Sequence, residues 1–137
     1  ASGVVLTKGS TDPFGGKVVR ATAGSIFHLP VVDEVEVQSL VARVSATGMT
    51  LAVATGDGEH DLFDWLEEAP ASICWVFGTE AHGVSVEMRA AAHARVRIPI
   101  AGRAESLNVA AAVAVCLFAD VARRHGRLKA SHNDPNR

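Results

Sequence analysis

Ser72-Ile73-Cys74-Trp75-Val76-Phe77 runs directly into Gly78-Thr79-Glu80-Ala81-His82-Gly83-Val84-Ser85. The first stretch is apolar almost without a break, the pattern of a parallel strand covered on both faces by helices. The second is a loop whose glycines at 78 and 83 let backbone approach a ligand closely. Upstream, Met49 to Ala54 is another apolar run of strand length, followed by the loop Thr55-Gly56-Asp57-Gly58 and a short helix over Asp61 to Glu68. Downstream, a helix is predicted from about Val86 to His93. A strand then follows over Ala94 to Ile98, where Val96 and Ile98 alternate with Arg95 and Arg97.

The outer parts of the chain repeat the alternation. Val4 to Leu6 reads as a short strand. Asp12-Pro13 predicts a capped helix from about Phe14 to Ala23, stopped by Gly24. Asp33 with Glu36 resembles a capping box before Val37, Leu40, Val41 and Val44, which share one helical face until Gly48. The last helix carries Leu107, Ala110, Ala111, Ala114, Leu117, Phe118 and Val121 on one face, closed by Arg123, Arg124 and Gly126. Strands alternating with helices predict an α/β fold with a mostly parallel sheet and flanking helices. One domain is expected over 1–126, with 127–137 as a polar tail.

Composition excludes several classes. With 137 residues, 48% hydrophobic and 20% charged, the chain is an ordinary folded domain and not a disordered one. A formal net charge of −2 and the absence of Tyr argue against a stand-alone nucleic-acid binder, so any grip on RNA must be local or supplied by another segment. Cys74 and Cys116 lie in apolar runs, as reduced thiols of a cytoplasmic protein do. No apolar stretch reaches the roughly 18 residues of a membrane span. No metal is expected, because Cys74, Cys116, His82 and His93 lack the close pairing of a zinc site. A P-loop fails around Gly16-Lys17, where Thr11 replaces the first glycine and Val18 the magnesium-binding hydroxyl. Gly83-Val84-Ser85 lacks the closing glycine of a nucleophile elbow, and Gly56-Asp57-Gly58 lacks the third glycine of a dinucleotide loop.

Three ordered segments carry a positive signal: Asp12-Pro13-Phe14 through Arg20-Ala21 and on to His28-Leu29-Pro30-Val31; Val76 to Ser85; and Ile98-Pro99-Ile100-Ala101-Gly102 followed by Ser106-Leu107-Asn108-Val109. Together they resemble the SpoU (TrmH-like) family of SPOUT-class RNA 2′-O-ribose methyltransferases, over nearly the whole chain except the polar tail. The resemblance implies a deep C-terminal trefoil knot and S-adenosylmethionine as cofactor. It implies a homodimer and an RNA partner, ribosomal RNA being favoured over transfer RNA. Residue by residue, Thr55, Gly78, Ile98 and Leu107 match cofactor-binding positions. Glu80, Ser106 and Asn108 match polar positions at the reaction centre, and Arg20 matches a basic position facing RNA or ribose.

Each residue also has an ordinary structural role. Gly78 could serve a tight turn, Glu80 could be a solvated loop carboxylate, and Ser106 and Asn108 could cap a helix. Arg20 could be a solvated helix residue, and Ile98 and Leu107 core. The family's first motif, with its activating Arg, has no match in this sequence, so the chain is expected to be the cofactor-binding fragment of a methyltransferase, inactive by itself. The alternative is a non-catalytic knotted dimerisation or RNA-binding scaffold. Glu80, Ser106, Leu107 and Asn108 argue against it, since a scaffold has no need of such a cluster.

Overall fold

The computed structural model describes residues 1–79, 82–102 and 106–132, the stretch 127–132 by its backbone alone. The chain folds as two compact units, Ala1–Arg43 and Val44–Arg137.

In the first unit β1 (Val4–Thr7) and β2 (Val31–Val35) pair in parallel, Val4 beside Val31 and Val5 beside Val32. The intervening chain contains α1 (Gly16–Ala21) and a single 3-10 turn, Ser25–His28. The helix is shorter than expected. Asp12 Oδ1 accepts from Phe14 N at 2.9 Å and the Asp12 carbonyl accepts from Gly15 N, so this carboxylate closes a turn ahead of the helix instead of capping it. Gly24, at φ 85°, supplies the left-handed stop as anticipated.

The capping box is a correction. Asp33 sits in the middle of β2, a strand absent from the sequence reading. The valines at 31, 32 and 35 pair with β1, and that non-local pairing overrides a local cap signal. The helix predicted behind it does form as α2 (Val37–Thr47), with Gly48 at φ 69° beyond it. Its anticipated face holds: Val44 is buried and Val37, Leu40 and Val41 are half-buried, while the rest of the helix is exposed.

The second unit is an α/β layer. Its elements are β3 (Thr50–Ala54), β4 (His60–Asp61), α3 (Leu62–Glu68), β5 (Ile73–Val76), α4 (Val86–Ala90), β6 (Ala94–Arg97) and α5 (Val109–His132). The sheet runs β4-β6-β3-β5, with every pairing parallel. On β3, Leu51, Ala52 and Val53 are at most 1% exposed, as the side chains of a central parallel strand buried on both faces are. Leu62, Leu66, Ala69, Ala94, Val96 and Cys116 form the core beside it. Trp75 meets Trp65 edge-on at 5.5 Å and stacks with Phe77 at 6.3 Å, extending the core toward the strand ends. Asp61 Oδ1 caps α3 by accepting from Phe63 N at 3.0 Å.

α5 corrects two expectations. Gly126 lies inside it and does not end it, the helix continuing to His132. Its buried side is also different from the predicted one. Cys116 is fully buried and Asp120 nearly so, whereas Phe118 is 75% and Val121 45% exposed. An alanine-rich helix is weakly apolar all round, so periodicity alone does not select its inward face. Asp120 tolerates burial because Arg123 Nε and Arg124 Nη2 hold its two oxygens at 2.7 and 2.5 Å. Arg123 also donates to the Ala69 and Pro70 carbonyls at 3.0 and 2.7 Å, tying α5 to the end of α3. Among the described residues, no helix is long and apolar enough to cross a membrane.

The turn from α4 into β6 is fastened to β3 by His93. Its amide donates to the Leu51 carbonyl, and its Nδ1 accepts from Leu51 N, each at 2.9 Å. Replacing this imidazole strands a buried backbone donor. His93→Ala is therefore expected to cost roughly 1–3 kcal/mol, read as a lower urea midpoint at unchanged m-value.

Candidate functional site

Parallel pairing brings three of the sequence-predicted positions to one edge of the sheet. Val53 is level with Val76 on one side of β3, and Ala54 is level with Val96 on the other. The ends of β5, β3 and β6 thus lie side by side, neighbouring strands being about 4.8 Å apart. Thr55, Gly78 and Ile98 follow those ends within two residues. The register extends one residue further on β3, where Thr55 N donates to the Val96 carbonyl at 2.9 Å. In open α/β sheets this carboxyl edge is where ligands bind. Ala54, Phe77 and Ile98 are half-buried against the core, giving the edge an apolar floor.

Gly78 is there for lack of space. A Cβ on it would sit 2.1 Å from the Gly83 carbonyl carbon and 2.4 Å from Val84 N. Gly83, at φ +64°, folds the loop back, and its amide donates to the Thr79 carbonyl at 2.8 Å. Ser85 then caps α4 by accepting from Met88 N. Glu80 lies outside the described residues.

Thr55 is committed to a ring of side chains that the sequence did not reveal. Its hydroxyl donates to Asp57 Oδ1 at 2.6 Å and accepts from Arg89 Nη1 at 3.0 Å, and Arg89 Nη2 donates to Asp57 Oδ2 at 2.6 Å. Hydrogen bonds from Arg89 and Thr55 hold the Asp57 carboxyl down at about 2. The depressed value favours the folded state above the ordinary carboxylate range and ceases to do so as pH falls through about 2. On the other flank of the loop, Arg97 Nη1 donates to the Gly58 and Glu59 carbonyls, and Arg95 pairs with Glu59. Gly58 has backbone of Val96 and Arg97 within 2.9 Å of where a Cβ would be. Asp57 reads in sequence only as a turn residue. Its partner is 32 positions away, a separation that carries no local signal.

The third segment meets its ordinary role as well. Asn108 Oδ1 accepts from Ala110 N and its carbonyl from Ala112 N, both at 2.9 Å, capping α5. Leu107 is half-buried and Ser106 exposed just before it. Arg20 is exposed on the last turn of α1, in the first unit. The zinc candidates do not gather. Cys116 is a core thiol that burial pushes up to about 11, Cys74 is raised by the same cause, and His93 Nδ1 is taken by Leu51. A groove of about 450 Å³ between α3 and α5, lined by Phe63, Leu66, Ala119, Ala122 and Arg123 among others, includes none of the predicted site residues.

The family model described as SpoU rRNA Methylase matches residues 1–118. The chain belongs to this family. Among SpoU relatives, the 23S rRNA (guanosine(2553)-2′-O)-methyltransferase RlmP of Bacillus subtilis is 34% identical over 118 residues, covering 84% of this chain and 45% of the relative. The 23S rRNA (uridine(2479)-2′-O)-methyltransferase of Streptomyces viridochromogenes is 35% identical over 130 residues, 90% of this chain and 44% of the relative. The chain therefore spans about half the length of the curated relatives it matches. Of solved SpoU structures, AviRb from Streptomyces viridochromogenes superposes with a TM-score of 0.83 at 30% identity, over 92% of this chain and 50% of that one. The AdoMet-bound rRNA methyltransferase from Sinorhizobium meliloti gives 0.79 at 34% identity, over 91% and 46%. The expected α/β class and family are both met.

Gly78→Ala must displace backbone at the β5 end of this edge. It is expected to destabilise the chain by at least about 1–3 kcal/mol, measured by chemical unfolding, whereas Gly126→Ala on α5 leaves stability equal or higher.

Proposed function

We propose that this chain is the cofactor-binding part of an S-adenosylmethionine-dependent methyltransferase acting on a ribose 2′-hydroxyl of RNA, ribosomal RNA rather than transfer RNA, in the cytoplasm. The observation that carries the reading is the carboxyl edge where β5, β3 and β6 end together, bearing Gly78, Thr55 and Ile98, in a chain of the SpoU family. The deep trefoil knot belongs to this reading, and the crowding of Gly78 against Gly83 and Val84 supports a tightly looped site.

The residues present fit the cofactor. Ile98 and Leu107 offer apolar walls, and Gly78, against which Gly83 and Val84 pack, keeps its loop tightly folded beside the adenosyl group. Thr55 contributes its carbonyl, because its hydroxyl hydrogen is held by Asp57 and its amide by the Val96 carbonyl. S-adenosylmethionine, when bound, supplies a methyl group activated on its sulfonium. A neutral ribose hydroxyl is a weak nucleophile and needs an acceptor at the moment of attack. Glu80 is placed by sequence at the reaction centre, where with Asn108 it positions the reacting groups. Ser106 and Asn108, at the start of α5, orient the hydroxyl. Arg20, exposed on α1, contacts the RNA backbone or the reacting ribose.

Titration calorimetry of the 137-residue chain with S-adenosylmethionine is expected to give one site per chain, and Gly78→Ala to lose it. A folded wild-type chain that binds neither S-adenosylmethionine nor S-adenosylhomocysteine overturns the reading in favour of a non-catalytic scaffold.

Homodimerisation through α5 is part of the same proposal. Ala110, Ala111, Ala114, Phe118 and Val121 leave an apolar stripe exposed along it, and small residues allow close helix approach. Sedimentation equilibrium is expected to show a dimer that Phe118→Glu converts to monomer. A wild-type chain monomeric at about 100 μM, roughly the concentration at which weak interfaces assemble, sinks this part.

A further inference from the structure

We propose that Arg89 and Asp57 are positioning residues of the donor pocket, locking the loop after β3 to the helix that follows the Gly78 loop. The inference rests on the cofactor reading above and adds to it residues that no motif marks.

Thr55 and Asp57 belong to the loop leaving β3, and Arg89 belongs to α4, which begins immediately after the loop 78–85. The three side chains close a ring. Thr55 Oγ1 gives its proton to Asp57 and receives one from Arg89, and Asp57 takes the second arm of the same guanidinium. A planar fork engaging two partners at once fixes direction as well as distance, which a lysine cannot do. The loop after β3 and the helix that the Gly78 loop leads into are thereby held at one spacing. From the far side Arg97, the residue before Ile98, holds the Gly58 and Glu59 carbonyls at 3.1 and 3.3 Å. The loop 55–59 is therefore gripped between an arginine beside the Gly78 loop and an arginine beside the Ile98 turn.

Stability alone does not call for such a ring. The Asp57 side chain is 66% exposed and that of Arg89 28%, and exposed ion pairs contribute little to folding. What the ring fixes is the placement of the loop after β3 against α4, and through α4 the end of the Gly78 loop. A pocket pre-set in this way binds its ligand without the cost of ordering the loops first.

Calorimetry of the wild type, Arg89→Met, Asp57→Asn and the double variant with S-adenosylmethionine tests this, with thermal unfolding run on the same samples. Each single variant is expected to raise Kd about 5- to 10-fold with nearly unchanged Tm, the double variant to be no weaker than either single one, and Arg89→Lys to recover part of the loss. Without ligand, amide exchange at Gly58 and Gly83 is expected to quicken together in Arg89→Met, since both amides are bonded within the tethered loops. Wild-type Kd within twofold in both single variants overturns the inference while the cofactor reading stands. So does a fall in Tm with no change in Kd, or faster exchange at Gly58 alone. A wild-type chain that does not bind the cofactor removes the reading and the inference with it.

Discussion

β3 lies between β5 and β6, hydrogen-bonded in parallel to both, and its residues 51–53 are sealed from solvent. A strand so placed has no freedom of register: sliding it by one residue would reverse which side chains meet each face of the core. Because all the pairings are parallel, that single constraint aligns the carboxyl ends of three strands. The loops that leave those ends start from fixed points, and the candidate site is built on them. His93 pins the amino end of the same strand, so β3 is held at both ends by groups distant in sequence.

Among the described residues, charge in the second unit is used mainly as internal strut work. Arg89 holds Asp57, Arg95 holds Glu59, Arg97 holds two loop carbonyls, and Arg123 with Arg124 neutralises the buried Asp120. These cations are spoken for, in keeping with a chain whose net charge is −2. Lys17 and Arg20, by contrast, stand exposed on α1. Arg89, Arg95, Arg97 and, through the Ala69 and Pro70 carbonyls, Arg123 join elements far apart along the chain, whereas Asp120 meets its two arginines within α5. In each case a hydrogen-bonded charge fixes geometry more than it adds stability.

α5 shows how two demands meet in one helix. Cys116 and Asp120 face inward, one by size and the other because two guanidinium groups accompany it. The apolar residues that do not face the core, Phe118 above all, remain on the outside. An alanine-rich sequence can serve both sides, since neither face is strongly polar.

The alternation of apolar runs with helix-period segments was enough to determine the α/β class, and the three ordered segments, from Asp12 to Val31, around Gly78, and from Ile98 to Val109, were enough to determine the family. Both signals are local, set by burial period, turn glycines and caps within a few residues. β2 escaped because a cap-like Asp33–Glu36 pair outweighed three valines whose partner strand lies more than twenty residues earlier. The inward face of α5 and the Thr55–Asp57–Arg89 ring escaped for the same reason. They depend on pairings between residues 32 or more positions apart, and such pairings are chosen by packing in three dimensions, where backbone hydrogen bonding, volume and charge are satisfied together.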